Sequence, residues 1–244
     1  MDNPFVSIII PAYNEEKRIG KTLARVREYL GEQQYSHEVL VVTDGAHDNT
    51  AVIAKEAARE WPQLWVLENK ENHGKGFVVR QGMLAAKGEI RVFTDADNST
   101  DIGHLEKMLA KFKEGFEVVI GSREAKDAPG ATQAVPQSSF KRLLGDMGNL
   151  VIQILVLPGI WDTQAGFKGF SAEATQKIFS KTTINRWGFD VEALALAKHW
   201  GYKIGIIPIY WKNDAESHVK LSGYVGALLE TFKVRWNLWT GRYK

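Results

Sequence analysis

A chain of 244 residues with 44% hydrophobic content can bury one substantial core. Its formal net charge of +2 supplies no global basic field for nucleic acid, and its lack of cysteine excludes disulfides and thiolate metal sites and fits a reducing compartment. No apolar stretch approaches the roughly 20 residues of a spanning helix; the longest, Leu150 to Ile160, contains Pro158 and Gly159, and Met1-Asp2-Asn3-Pro4 lacks the basic start of a secretion signal.

Val6 to Ile10 is a short β-rich run stopped by Pro11, and reads as a buried strand. Asn14, as N-cap, and the acids after it predict a helix from about 14 to Leu30. Glu38 to Val42 is a second strand, ending at Asp44-Gly45. A helix from Thr50 to Glu60 and a third strand, Leu64 to Leu67, follow. Gly74-Lys75-Gly76 opens a helix to Ala86, and Ile90 to Thr94 is a fourth strand. This alternation predicts a mostly parallel sheet covered on both faces. Ile102 to Lys113 is helical, with Asp101 as its cap, and Glu117 to Ile120 is a strand ending in Gly121-Ser122-Arg123. Residues 124–139 read as a long surface loop, followed by a helical apolar segment to Leu157. Helices at Ala172 to Ile178 and Phe189 to His199 and a strand from Lys203 to Tyr210 complete the pattern. With no clean linker, the chain reads as one α/β domain, with residues 1–123, 124–222 and 223–244 as its parts.

The fourth strand runs into Asp95-Ala96-Asp97. Residues i and i+2 of a strand point to the same side, so both carboxylates enter one space at the carboxyl end, where open α/β sheets place ligands. Two such carboxylates repel and need a cation. Hard oxygen ligands with few protein partners suit Mg²⁺ or Mn²⁺ held jointly with substrate phosphates. A solvated turn explains an isolated Asp-x-Asp equally well, so the neighbouring strand ends decide.

Those ends carry Pro11-Ala12-Tyr13-Asn14-Glu15-Glu16, Thr43-Asp44-Gly45-Ala46-His47-Asp48, Asn72-His73-Gly74-Lys75-Gly76 and Gly121-Ser122-Arg123. With Asp95-Ala96-Asp97 they resemble the family 2 glycosyltransferases of the GT-A fold, a Rossmann-like architecture. Asp162-Thr163-Gln164-Ala165-Gly166-Phe167-Lys168 and Arg186-Trp187-Gly188-Phe189-Asp190-Val191-Glu192 look like the polyprenyl-phosphate branch. That branch holds dolichyl-phosphate mannose synthases and, more similar here, dolichyl-phosphate β-glucosyltransferases. The resemblance covers nearly the whole chain. It implies that Pro11, Tyr13, Glu15, Asp44 and Lys75 serve the nucleotide, and that Asp97 is the direct metal ligand with Asp95 nearer the ribose or sugar. Thr43 stands where the family often has a first acid of a tandem pair, and Ser99 where mannose synthases often have Gln.

The implied reaction moves glucose or mannose from UDP-glucose or GDP-mannose to a polyprenyl phosphate, with inversion. A phosphate monoester is largely dianionic at neutral pH, with a second pKa of about 6, and needs no general base. It needs cations. Arg123, whose planar fork suits phosphate, Lys141 with Arg142, and Lys168 are the candidates. Asp162, Gln164 and Asp190 are candidates for sugar hydroxyls or for shaping the acceptor site, whereas Phe167, Phe170 and Phe189 read as core. Transfer to a sugar hydroxyl instead would need Asp190 or Asp162 as base. A catalytically dead nucleotide-binding module is a third reading, which Asp95, Asp97 and Arg123 argue against.

A lipid acceptor also predicts a peripheral enzyme on the cytoplasmic face of a membrane. In the C-terminal run, Leu228, Phe232, Arg235 and Trp239 recur at spacings of three and four, and Trp with cations suits an interfacial helix; a helix packed on the core explains the spacing equally. The segment Ser138 to Leu157 is a second candidate for lipid contact. An anchoring partner or self-association would substitute for a membrane-spanning segment.

Overall fold

The order in which the strands pair determines where the site lies. A computed structural model describes residues 3–133, 148–212 and 221–244, with side chains of the last segment from 226 onward. Strands β1 (Val6–Ala12), β2 (His37–Asp44), β3 (Leu64–Asn69), β4 (Ile90–Thr94), β5 (Val118–Ser122), β7 (Phe167–Ser171) and β8 (Ile204–Pro208) form a seven-stranded sheet. Its order is β3-β2-β1-β4-β7-β5-β8. Two short strands, β6 (Thr132–Gln133) and β9 (Tyr210–Trp211), pair separately.

All neighbours in the main sheet are parallel except β7, which runs antiparallel between β4 and β5. The sequence pattern does not predict β7. It reads as a motif because Lys168 and Gly169 interrupt its apolar residues. In the sheet those two positions sit opposite Phe93 and Val92 of β4. The consequence is functional. Because β7 is reversed, its beginning lies beside Thr94, the end of β4. The motif 162–166 therefore shares one edge of the sheet with the carboxyl ends of β1, β2, β4 and β5.

Helices α1 (Ile19–Gly31), α2 (Thr50–Glu60) and α4 (Leu105–Lys113) cover one face. The other carries α3 (Lys75–Ala85), α5 (148–155), α6 (Ala172–Phe179), α7 (Phe189–His199) and α8 (Leu221–Trp239). Burial on both faces requires near-continuous apolar strands, and every residue of β1 is buried. Ile8 and Ile10 pack with the first layer, Ile9 with the second.

One boundary departs from expectation. Helix α1 starts at Ile19 rather than near Asn14. Asn14 adopts a left-handed backbone (φ 55°) and its Oδ1 accepts the His47 amide at 2.9 Å. The side chain that would cap a helix is committed across the site, and residues 15–18 form a turn instead. Asp101 does cap its turn, accepting the Gly103 amide at 2.7 Å.

Candidate active site

The β1 and β2 loops meet at one end of the edge. Tyr13 is exposed and sits edge-on to His47, with centroids 6.4 Å apart. Pro11 is buried at the end of β1. Glu15 pairs with Arg18 (2.6 Å), and its backbone amide donates to Thr50 Oγ1 at 2.7 Å. Glu16 donates its amide to Asp48 at 3.1 Å. These bonds fix two loops that sequence reading treats separately.

Asp44 is buried, and its two carboxylate oxygens accept the amides of His73 (2.7 Å) and Gly74 (2.8 Å). It thus sets the loop that delivers Lys75. Gly74 has φ 102°, and a Cβ there would lie 2.4 Å from Asn185 O; glycine is required on both counts.

Lys75, the first residue of α3, reaches Asp95 Oδ1 at 2.5 Å. Burial lowers the ammonium's pKa, but the charges of Asp95, Asp190 and Asp97 outweigh it, and the net shift is upward. On Asp97, burial and then the charge of Asp95 push the carboxyl above its ordinary range, against the Ser99 amide that donates to it at 2.9 Å. A carboxyl whose ionisation is disfavoured in this way is short of positive charge. The described residues contain no cluster of three or more potential metal-binding His, Asp or Glu. Two carboxylates without a third protein ligand fit a hard divalent ion that takes its remaining ligands from phosphate and water.

Gly166 completes this corner. Its carbonyl accepts the Asp95 amide at 3.2 Å, and a Cβ on it would fall 1.9 Å from Asp95 Oδ2. The carboxylate lies directly over the glycine.

At the ends of β5 and β7 the acids are paired with cations. Asp162, buried, accepts Arg123 Nε (2.8 Å), Nη2 (2.9 Å) and the Arg123 amide (2.8 Å). Burial works against the Asp162 carboxylate, but Arg123 holds its pKa below the usual range. Arg123 also lies 5.2 Å from the Trp211 ring centroid. Lys168 departs from expectation. It is wholly buried, donates to Asp190 at 2.7 Å and to the Ala165 carbonyl, and lies over Phe93. An ammonium so placed is unavailable to an incoming phosphate; it neutralises Asp190 and holds the backbone beside Gly166. Gln164 is exposed on the same loop. Lys141 and Arg142 lie outside the described residues.

Several participants carry no sequence signal. Asp127 accepts Ser122 Oγ and the Trp161 and Asp162 amides, all at 2.7 Å, and so positions Asp162. Trp211 stacks on Arg123 and bridges Thr100, while Lys212 donates to Ser99 O at 2.9 Å, tethering the segment after Asp97. Each is a lone residue in a loop or short strand, with meaning only once the chain is folded.

Residues 7–179 match the family model for glycosyl transferase family 2. The chain belongs to this family. A dolichyl-phosphate beta-glucosyltransferase of Trichomonas vaginalis is 33% identical over 252 aligned positions, covering 98% of this chain and 76% of the relative. The human enzyme of the same name is 32% identical, covering 84% and 67%. Among solved structures, glucosyl-3-phosphoglycerate synthase of Mycobacterium tuberculosis with Mn²⁺, UDP and phosphoglyceric acid superposes with a TM-score of 0.71. It is 15% identical, over 95% of this chain and 77% of that one. A mannosyltransferase of Pyrobaculum calidifontis with GDP-Man and Mn²⁺ gives 0.58 at 21% identity, over 93% and 60%. The family 2 chain thus has the GT-A fold expected from its motifs, and is a glycosyltransferase.

Proposed function

We propose that this glycosyltransferase moves glucose from UDP-glucose to a polyprenyl phosphate of the dolichyl type, at the cytoplasmic face of a membrane. The named activity of relatives that align over most of the chain supports the sugar and the acceptor. The observation that carries the choice of acceptor is the state of Asp162 and Asp190. A hydroxyl acceptor needs a free carboxylate to take its proton. Both candidates are instead paired with cations, Asp162 with the half-buried Arg123 and Asp190 with the buried Lys168. An acceptor that arrives already ionised needs neither.

In this reading Pro11, Tyr13, Glu15 and the β2 loop at Asp44 enclose the nucleoside, and Lys75 lies where Asp95 meets the diphosphate. Asp97, with Asp95, would hold Mg²⁺ or Mn²⁺, which when bound neutralises charge on the departing diphosphate. An acceptor phosphate oxygen attacks the anomeric carbon as its bond to the diphosphate oxygen breaks. The nucleoside diphosphate leaves with the electron pair, and the configuration inverts. Arg123 faces the acceptor with the edge of its guanidinium not used by Asp162, and Lys141 and Arg142 supply further charge. Gln164 contacts sugar or acceptor. The chain's own contribution is positioning and fixed charge.

The test is a panel of UDP- and GDP-sugars, GDP-mannose included, with a short-chain polyprenyl phosphate and Mg²⁺ or Mn²⁺, followed by analysis of the lipid product. Glucose on the phosphate, with inverted anomeric configuration, is expected. Transfer to sugar hydroxyls but to no phosphate acceptor sinks the proposal.

A further inference from the structure

No described helix is long and apolar enough to cross a membrane, yet α8 presents an uncovered apolar face. Leu229, Phe232, Trp236 and Trp239 are 64%, 51%, 59% and 74% exposed. Their spacings of three and four put them on one stripe. The opposite side, Thr231, Val234 and Asn237, is buried against the core. Of the stripe read from the sequence, Phe232, Arg235 and Trp239 are exposed and only Leu228 is half-buried. Trp236 and Trp239 pack edge to face at 5.3 Å, making one aromatic knob.

Among the described residues of α8 and the turn that follows it, the fully exposed charges are positive. Lys233, Arg235 and Arg242 are exposed. The sole acid of α8, Glu230, turns inward and accepts the Gly188 amide at 2.7 Å. A second copy of this chain would bring this basic rim against another basic rim, at a cost. Aromatics flanked by cations match a negatively charged lipid surface.

The helix is also tied to the site. Residues 182–188 form a strap held from both sides. On one side Glu230 takes the Gly188 amide, and Glu192, itself bonded by Tyr243, takes the amides of Thr183 and Ile184. On the other, Arg80 donates to Thr182 O and Asn185 Oδ1, and Phe77 donates its amide to Asn185 O at 3.1 Å. Trp187, within the strap, lies 5.9 Å from Lys75 Nζ, the partner of Asp95.

We propose that the outer face of α8 docks the enzyme onto an anionic phospholipid bilayer, and that the strap 182–188 fixes the Lys75–Asp95 corner relative to the docked helix. Leu229, Phe232, Trp236 and Trp239 enter the headgroup boundary, and Lys233, Arg235 and Arg242 meet lipid phosphates. The purpose of docking rests on the lipid-acceptor reading above; the docking itself does not.

The experiment is co-sedimentation of the full chain with phosphatidylcholine vesicles, with and without phosphatidylserine, in the absence of donor and acceptor. Binding is expected to require phosphatidylserine and to weaken with salt. Trp236→Ser with Trp239→Ser should lower partitioning about tenfold or more, with UDP binding and thermal midpoint unchanged. Lys233→Glu with Arg235→Glu should abolish the phosphatidylserine preference. Unchanged partitioning of the double Trp variant overturns the proposal. So does a vesicle-free dimer, seen by sedimentation velocity, that the same variant dissolves. Vesicle binding without transfer to any polyprenyl phosphate would retire the acceptor reading and leave the docking surface standing.

Discussion

The two halves of the site handle charge in opposite ways. At the end of β4, Asp95 is bonded by Lys75, and Asp97 lies within reach of the Asp95 charge with no cation bonded to it among the described residues. At the ends of β5 and β7, Arg123 with Asp162 and Lys168 with Asp190 are ion pairs, each with its acid buried. The first half leaves Asp97 short of positive charge. The second is a framework whose charges are balanced before any substrate arrives. The difference explains why Asp-x-Asp stands out in the sequence, whereas the pairing of Asp162 and Asp190 with cations far along the chain does not.

The comparison breaks most visibly at Lys168. Lys168→Met leaves Asp190 buried without its partner, a change that typically costs about 3–5 kcal/mol. Chemical denaturation of the variant should show a loss of that order. Adding Asp190→Leu should recover much of it, because two apolar groups replace a matched pair. If Lys168→Met keeps its stability and raises only the acceptor KM, Lys168 contacts phosphate after all and the balanced-framework account fails.

Asp97→Ala tests the other half. Loss of the principal candidate metal ligand should lower kcat/KM by about 10²–10³-fold, with the stability of the apo-protein unchanged or improved, since a buried like-charged neighbour of Asp95 is removed. Activity within tenfold of the parent would show that the acidic pair is a turn and not a cation site.

Gly166→Ala probes the contact between the halves. Its new methyl would displace the Asp95 carboxylate, which a Cβ would approach to 1.9 Å. A shift of this order costs about 10²-fold when it moves a reacting group. Donor affinity measured by calorimetry with Mn²⁺ should fall while the thermal midpoint changes little. An unaffected donor affinity would mean that Asp95 is free to move and that Gly166 merely allows close packing.

Much of this architecture is legible in the chain. Strand runs such as Val6 to Ile10 and Ile90 to Thr94 are apolar because both faces are covered, and Gly74-Lys75-Gly76 marks a helix start that structure and sequence share. What escapes is decided by partners distant in sequence. Strand β7 contains a lysine and a glycine that no isolated strand pattern tolerates. Lys168 is accommodated by Asp190, 22 residues later, and Gly169 by Met108 and Phe112 of α4, which a Cβ would strike at 2.5 Å and 3.1 Å. Asn14 reads as a helix cap because its neighbours do, but His47 claims its side chain. Asp127 and Trp211 gain their roles only when Asp162 and Arg123 are beside them.

The smallest expected effect concerns acid. Asp162 has its pKa depressed in the folded state: burial opposes ionisation, but the Arg123 charge and hydrogen bonds prevail. A depressed carboxyl contributes stability above its unfolded pKa of about 3.9, and that contribution is lost as pH falls through the lower folded value. The unfolding free energy should therefore decline below about pH 4. Asp162→Asn, which lacks the titrating group, should be less stable near neutrality and show a shallower decline over the same acid range. Asp97 has the opposite sign to Asp162: burial, then the charge of Asp95, raises its carboxyl, as burial raises that of Asp190 against the pull of Lys168. Ionisation of Asp97 costs stability as pH rises, so Asp97→Asn should gain relative to the parent between mildly acidic and neutral pH without metal. Parallel pH–stability curves for the two variants would show that Asp97 and Asp162 do not differ in charge balance, and would remove the basis for contrasting the acid that lacks a bonded cation with the one that Arg123 neutralises.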